Sequence, residues 1–270
     1  MMTHLFLSDV DGTLLNNDVP IPDAVVRAAA KFKQAGGGLC LCTGRAPISA
    51  RAPARRIGVN CPSILWGGPA IYDFDRNECL WKRSMPGEIL DSAARCVEKY
   101  PKIALLAYTE RDIYFLRRTD YILSKGIPEE MTAPQSPISA VSGEVIKIVL
   151  AGENIEELGA CISDCFTLPG IHAAFSSRHF VEVVADGANK GAAMEALCEL
   201  LQIPLANTFA AGDGMTDLSM LSRAGFAYTL PHAPKALKDV CNMVIPSFRE
   251  GGMEAAFENA ESFLKGNAQG

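Results

Sequence analysis

The stretch DVDGTLL, residues 9–15, decides how the start of this chain folds. It follows a short apolar run, residues 5–7, that predicts a β-strand, and it places Asp9 and Asp11 two positions apart before a glycine and a threonine. Side chains two apart in an extended segment point the same way. Open parallel sheets bind ligands beyond the carboxyl ends of their strands. The stretch therefore predicts two carboxylates presented together at one edge of a sheet.

The segments on either side continue a strand-and-helix pattern. We read strands in LCLCTGR (39–45) and PSILWGG (62–68), a helix in PDAVVRAAAKFKQAGGG (22–38), and a weaker helix in PISARAPARRIG (47–58) that Pro53 breaks. The same pattern returns from Lys190, with the helix KGAAMEALCELLQI and the strand TFAAGDG. Alternation of this kind is typical of a parallel sheet that carries helices on its faces.

The middle of the chain has a different pattern. Helix-period stretches there are separated by pairs of short strands, such as IALLAY with DIYFL and HAAFSS with FVEVVAD. We therefore predict an α/β protein whose Rossmann-like core, residues 1–83 and 188–270, has a parallel sheet with helices on both faces. A small α+β domain with an antiparallel sheet, residues 84–187, is inserted into it.

A second acidic set follows the strand TFAA. Asp213 and Asp217 lie there, so two strand ends can bring four carboxylates together. Like charges about 4 Å apart repel by about 4 kcal/mol at an effective dielectric of 20, so the cluster needs positive charge. Because all candidate ligands are oxygen atoms, Mg²⁺ is the cation that fits best. Lys190 can supply a second positive charge.

Two further motifs supply hydrogen-bond donors. TGR, at Thr43 to Arg45, ends a predicted strand, and the backbone of DGT follows another. Backbone N–H groups and a hydroxyl aimed at one point form an anion site that suits phosphate. Together with the carboxylates, the cation and the lysine, they indicate phosphoryl transfer. Taken singly, each motif is more simply interpreted as an ordinary turn or helix start. The functional interpretation depends on the finding that all of them lie at predicted strand ends or helix starts.

The order of these motifs resembles the haloacid dehalogenase superfamily of phosphohydrolases. The resemblance rests on Asp9-Val-Asp11-Gly12-Thr13-Leu14, Thr43-Gly44-Arg45, Lys190-Gly191, and Gly212-Asp213 with Asp217. It covers nearly the whole chain. The insertion between the second and third motifs looks like the larger, type IIB cap of the Cof-like branch, which includes sugar phosphatases.

The resemblance implies a covalent mechanism and a role for each motif. Asp9 would attack phosphorus, and Asp11 would protonate the leaving oxygen and then deprotonate water. Thr43, the Gly44 amide and Lys190 would bind the phosphoryl group. The residues implied at the Mg²⁺ ion are Asp9, the backbone carbonyl of Asp11, Asp213 and Asp217, the last as a ligand through water or as an anchor for Lys190. The implied substrate is a small phosphorylated metabolite, with sugar phosphates first.

The chain departs from the family pattern at three positions. Thr216 and His232 each stand where Asn is usual, and the third strand, which commonly ends in an Asn-Gly pair, reads Trp66-Gly67-Gly68 here. Thr216 can still donate a hydrogen bond but reaches less far, so rate or substrate choice can differ. Two alternatives stay open: a phosphomutase that passes the phosphoryl group to a sugar, and a non-catalytic sensor of a phosphorylated ligand.

Composition limits the remaining classes of partner. With 25 basic and 31 acidic residues the net charge is -6, and no long basic run occurs, so nucleic acid is not an expected partner. Nine cysteines, an odd number scattered through apolar stretches, indicate buried thiols in a reducing cytoplasm. No apolar run approaches the ~20 residues of a membrane span, and the start lacks a signal-peptide core.

Overall fold

A computed structural model describes residues 2–16, 19–124 and 134–267. The strands, in chain order, are β1 (His4–Ser8), β2 (Gly37–Leu41), β3 (Ser63–Leu65), β4 (Ala70–Asp73), β5 (Glu78–Lys82), β6 (Ala104–Thr109), β7 (Ile113–Arg117), β8 (Val145–Ala151), β9 (Ile171–Ser177), β10 (Phe180–Ala185), β11 (Thr208–Ala211), β12 (Phe226–Thr229) and β13 (Met243–Val244). The helices are α1 (Asp23–Gln34), α2 (Pro47–Ile57), α3 (Ile89–Lys99), α4 (Asp120–Ser124), α5 (Ile155–Cys165), α6 (Lys190–Leu201), α7 (Leu218–Leu221), α8 (Lys235–Val240) and α9 (Gly252–Asn267).

The chain divides into two compact units. The first consists of Met1–Trp81 and Asn189–Gly270, and the second of Lys82–Ala188. The insertion expected from the sequence, residues 84–187, falls inside the bounds of the second unit. Each unit has its own five-stranded sheet and its own hydrophobic core.

The first unit is built on a parallel sheet with the strand order β13-β12-β11-β1-β2, which confirms the expected α/β core. In its register, Ser8 at the end of β1 pairs with Leu41 of β2 on one side and with Ala211 of β11 on the other. The segments that follow these three strands therefore leave the sheet at the same edge. They carry the DVDGT, TGR and GDG motifs.

The side chains of β1 point alternately to the two faces of this sheet, and helices pack against both faces. Phe6 lies 5.8 Å, between ring centroids, from Phe32 of α1 and 4.4 Å from Phe257 of α9. Its neighbours Leu5 and Leu7 belong instead to a core cluster that contains α6 side chains such as Met194. All three β1 side chains are fully buried, and each such burial contributes about 1.5–3 kcal/mol.

Two sequence expectations about the first unit need correction. The segment PSILWGG does not supply a further full strand of the parallel sheet: β3 pairs antiparallel with β4 in a separate sheet of order β3-β4-β5. Its link to the parallel sheet is the bridge between Cys42 and Ile64.

Pro53 does not break α2, which continues from Pro47 to Ile57. Proline lacks the N–H that would bond to Ser49, and that carbonyl accepts a hydrogen bond from Arg45 Nη1 at 3.1 Å instead.

The second unit has an antiparallel sheet of order β7-β6-β8-β10-β9, as expected for the insertion. Buried side chains of α3 and α5 form one core cluster with inward positions of these strands. Cys96 of α3 and Cys161 of α5 meet in this cluster with their sulfur atoms 3.2 Å apart.

The cysteines of the chain are thiols, and all but Cys79 and Cys241 are buried. Among the described helices, none combines the length and the apolar character needed to cross a bilayer.

Candidate active site

A buried ion-pair network links Asp9 of the first motif to Asp217 of the last motif through Lys190. Lys190 Nζ lies 2.6 Å from Asp9 Oδ1 and 2.5 Å from Asp217 Oδ1. All three residues are at least 94 % buried, since their relative exposures are 2 %, 6 % and 1 %. Lone buried charges of this kind would be strongly destabilising, so the ammonium and the two carboxylates depend on one another.

Local sequence places Lys190 at this point. Asn189 is the N-cap of α6, and its side-chain oxygen accepts the Ala192 N–H at 3.0 Å, so the helix begins at Lys190. A Cβ at Gly191 would overlap the backbone carbonyl of Ser219, so the glycine allows α6 to start directly against α7. A cation in the first turn of a helix opposes the helix dipole, and the two carboxylates offset this cost.

Asp217 is held by donors on both of its oxygen atoms. Oδ1 accepts from Lys190, while Oδ2 accepts the backbone N–H groups of Asp213, at 3.1 Å, and Gly214, at 2.9 Å. Gly212 leaves the space that this side chain occupies, because a Cβ there would lie 2.5 Å from Asp217 Cγ. The loop after β11 is thus folded around the Asp217 carboxylate.

Asp213 has a different set of contacts. Its Oδ1 accepts a hydrogen bond from Thr13 Oγ1 at 2.6 Å, and its Oδ2 lies 2.9 Å from His232 Nε2. Gly12 packs against the same carboxylate: its φ is +88°, and a Cβ there would overlap both carboxylate oxygens of Asp213. The glycine of the DGT motif is therefore required by the backbone conformation and by the close approach of Asp213.

Three of the four expected carboxylates come together. Asp9, Asp213 and Asp217 each offer an oxygen atom, and these atoms lie within 4.8 Å of one another. Oxygen donors at this spacing fit a hard divalent cation such as Mg²⁺. The Asp11 carboxylate pairs elsewhere. The contribution expected of Asp11 to the cation is its backbone carbonyl, which stays a prediction.

The cluster alters the acidity of its members. Burial raises the pKa of Asp9 to about 7, and the neighbouring charges of Asp217 and Asp213 add to the effect while Lys190 opposes it. Burial lowers the pKa of Lys190, but the charges of Asp9 and Asp217 outweigh it and move the pKa well above its usual range. One ammonium group beside three carboxylates leaves excess negative charge, which a cation can balance.

Asp11 forms its own ion pair outside this cluster. Arg45 Nε lies 2.8 Å from Asp11 Oδ2, and Arg45 Nη2 lies 2.6 Å from Oδ1. The Asp11 side chain is 60 % exposed, whereas that of Asp9 is 9 % exposed. Two carboxylates two positions apart thus have different partners and different solvation.

Two of the three expected phosphate-binding residues, Thr43 and Gly44, lie in the loop after β2, and the third, Lys190, begins α6. Thr43 is fully buried, and its hydroxyl accepts the Arg45 N–H at 3.3 Å. Gly44 is exposed, and the position of its absent Cβ has open space around it. The loop after β3 braces this segment, because the Trp66 and Gly67 N–H groups donate to the carbonyls of Arg45 and Thr43.

The contacts of Thr13 and His232 with Asp213 and of Arg45 with Asp11 did not follow from the sequence. These pairs are separated by 200, 19 and 34 positions. No local periodicity signals a contact over such distances. The one available signal was the departure at His232 from the family pattern.

Comparison with known proteins identifies the family. Residues 6–257 match a family model described as haloacid dehalogenase-like hydrolase. The chain is similar to 5-amino-6-(5-phospho-D-ribitylamino)uracil phosphatase of Bacillus subtilis, with 22 % identity over 93 % of this chain and 94 % of that protein. It is also similar to the HMP-PP phosphatase of Yersinia pseudotuberculosis, with 27 % identity over 88 % and 87 % of the two chains.

A solved structure shows the same fold. The subclass IIB sugar phosphatase BT4131 superposes with a TM-score of 0.78 at 21 % identity, covering 95 % of this chain and 98 % of that one. The expected fold and the expected hydrolase family are both confirmed. The protein belongs to the haloacid dehalogenase-like hydrolases.

Proposed function

We propose that the protein is a Mg²⁺-dependent phosphatase of small phosphorylated metabolites, with sugar phosphates as the first substrate class, acting through an aspartyl phosphate. One observation carries the proposal. Lys190 Nζ pairs with both Asp9 and Asp217 in a buried site, next to Asp213 and at the edge where three parallel strands end. The relatives whose names describe phosphatases of small phosphorylated metabolites support the substrate class.

Asp9 is the nucleophile in this proposal. Its ionised oxygen attacks phosphorus, a new O–P bond forms, and the bond between phosphorus and the leaving oxygen breaks. Asp11 gives its proton to that leaving oxygen, so the alcohol departs neutral. Lys190 stabilises Asp9 as a carboxylate before the attack, which matters because burial otherwise favours the protonated acid.

Hydrolysis of the intermediate returns the enzyme to its starting state. A water oxygen attacks the phosphorus of the aspartyl phosphate, and the Asp9 O–P bond breaks. Asp11, now a carboxylate, takes the proton of that water, and inorganic phosphate leaves. The same residue serves as acid and then as base, and it ends the cycle protonated, as it began.

The remaining site residues bind the phosphoryl group and the cation. Thr43 and the Gly44 N–H hold the phosphoryl oxygens, and Lys190 neutralises part of their charge. Asp9, Asp213 and the backbone carbonyl of Asp11 would hold Mg²⁺. Asp217 is the anchor for Lys190, because its Oδ1 pairs with the ammonium and its Oδ2 already accepts two backbone N–H groups. When bound, the cation supplies charge stabilisation to the phosphoryl group. We assign selection among leaving groups to the inserted residues 84–187.

Replacement of the nucleophile tests the proposal. With Mg²⁺ and p-nitrophenyl phosphate, or a panel of sugar phosphates, we expect release of inorganic phosphate by the wild type and none above background by Asp9→Asn. Asp75→Asn, which changes an exposed turn carboxylate, is the matched control and keeps wild-type activity. Undiminished hydrolysis by Asp9→Asn would show that the nucleophile is wrongly assigned.

A second variant tests the intermediate and separates a mutase from a phosphatase. Asp11→Asn removes the group that activates water. With p-nitrophenyl phosphate, whose leaving group needs little protonation, the aspartyl phosphate should accumulate, and mass spectrometry of a rapidly quenched sample should detect phosphate on the peptide that contains residue 9. Isomerised hexose phosphate without free phosphate in the wild-type reaction would identify a phosphomutase instead. Tight binding of phosphate esters without turnover across the panel would identify a sensor.

A further inference from the structure

His232 contacts an expected cation ligand. We propose that it is a positioning residue that holds the Asp213 carboxylate in the orientation that the divalent cation needs. The inference rests on the cation site of the proposed function. It concerns a side chain for which neither the family match nor the relatives assign a role.

The hydrogen-bond geometry defines the contact. His232 Nε2 lies 2.9 Å from Asp213 Oδ2, and Thr13 Oγ1 lies 2.6 Å from Oδ1 of the same carboxylate. An ionised carboxylate only accepts hydrogen bonds, so the proton of this contact is on Nε2. One donor on each oxygen fixes the plane of the carboxylate. Each oxygen keeps a second acceptor position for a cation.

The backbone that carries His232 is fixed, although the imidazole is exposed. The side chain is 53 % exposed. On either side, Leu230 and Ala233 are buried, and the Ala233 N–H donates to the Leu230 carbonyl at 3.1 Å. Lys238 Nζ also donates to the Pro231 carbonyl. The ring is therefore presented to Asp213 from an anchored turn between β12 and α8.

Asp213 differs from the other two carboxylates in what holds it. Asp9 and Asp217 share the ammonium of Lys190, whereas the hydrogen bonds described for the Asp213 side chain come from a hydroxyl and an imidazole. Lys190 therefore neutralises less of the Asp213 charge, and Asp213 is the main anionic ligand available to a cation. Its orientation then has a large effect on cation affinity.

Loss of the imidazole would leave Oδ2 without this donor. Thr13 would remain as the donor to Oδ1, and the carboxylate could turn about it. Removal of a group that orients a metal ligand typically weakens metal binding by about 10- to 100-fold.

Direct measurement of cation binding tests the inference without using catalysis. Protein freed of metal with EDTA is titrated with Mg²⁺, and separately with Mn²⁺, in a calorimeter at one fixed pH and without substrate. We expect His232→Ala to weaken binding by about 10- to 100-fold. His232→Gln keeps an N–H donor and should recover most of the affinity. His172→Ala, at an exposed histidine of the second unit, is the control and should bind as the wild type does.

A second readout separates positioning from general damage to the fold. For His232→Ala we expect the Mg²⁺ concentration at half-maximal rate to rise, while the rate at saturating Mg²⁺ stays near that of the wild type. Unchanged cation affinity in His232→Ala would overturn the role of His232 and leave the proposed function standing. Absence of any cation binding by the wild type would overturn the proposed cation site itself.

Discussion

Arg45 binds both carboxylate oxygens of Asp11, through Nε at 2.8 Å and Nη2 at 2.6 Å. Its Nη1 donates to the Ser49 carbonyl, the group to which Pro53 has no N–H to donate. Because Pro53 has no N–H, the Ser49 carbonyl accepts from the guanidinium instead of from the backbone of α2. The guanidinium in turn holds the side chain proposed as the general acid and base.

Substitution of Arg45 by lysine tests this relationship. Lysine keeps the charge but cannot form the two-pronged contact, so Asp11 is held less well. We expect kcat to fall by about 10-fold for alkyl phosphates, as part of the 10²–10⁴-fold that acid and base catalysis supplies. The loss should be smaller for p-nitrophenyl phosphate, whose leaving group needs little protonation. Arg76→Lys, in an exposed ion pair with Glu78, is the control. Equal losses on both substrates in Arg45→Lys would contradict the role of Asp11.

Removal of the Lys190 charge should destabilise the fold. Lys190→Met leaves Asp9 and Asp217 as buried carboxylates without their shared ammonium, at a cost of about 3–5 kcal/mol in the free energy of unfolding near neutral pH. Urea denaturation measures it. Addition of Asp217→Asn in the same chain should restore part of the loss. Lys235→Met, in an exposed pair with Asp239, should have little effect, and an equal loss there would contradict the argument from burial.

Gly12 should not tolerate a side chain. Its φ of +88° and the close approach of Asp213 both disfavour alanine. We expect Gly12→Ala to lower the free energy of unfolding by about 1–3 kcal/mol from the backbone conformation alone, with weaker cation binding because Asp213 is displaced. Thermal melting and calorimetric titration measure the two effects. Gly87→Ala, where the added Cβ meets open space, should leave both unchanged.

The raised pKa of Asp9 predicts how stability depends on pH in the absence of cation. The native state binds this proton up to about pH 7, whereas the unfolded chain releases it near the ordinary value of 3.8. Between these values the native state holds more protons, so this residue lowers stability as pH rises from about 4 to about 7. Asp9→Asn cannot ionise, so the stability of the wild type relative to this variant should fall over that interval.

Added Mg²⁺ should oppose this decline, because the cation stabilises the ionised carboxylate and competes with the proton. The rise in melting temperature on adding Mg²⁺ should therefore be larger at pH 7 than at pH 5. Melting curves of EDTA-treated protein with and without Mg²⁺ measure both effects. A shift that is equal at the two pH values would contradict the proposed link between Asp9 and the cation.

Much of the fold could be predicted because its signals are local. The apolar run before Asp9, the glycines after α1 and the return of helix and strand patterns from Lys190 indicate a parallel α/β core, and these patterns depend on neighbouring residues alone. The motif residues could be placed at strand ends for the same reason. Two predictions failed because local patterns are not sufficient. The strand pattern of β3 does not specify which sheet the strand joins. Pro53 disfavours a helix, but α2 continues through it.

The sequence by itself determined the chemical groups of the site and the strand ends at which they stand, because these depend on residue type and local periodicity. Tertiary structure decided which partner each of these groups pairs with. The order β11-β1-β2 brings Asp213 to Thr13, 200 positions away, and the same edge separates Asp9, buried with Lys190, from Asp11, exposed with Arg45. Such pairings depend on long-range packing and on competition among partners for each carboxylate, and neither is encoded in any short stretch of the chain.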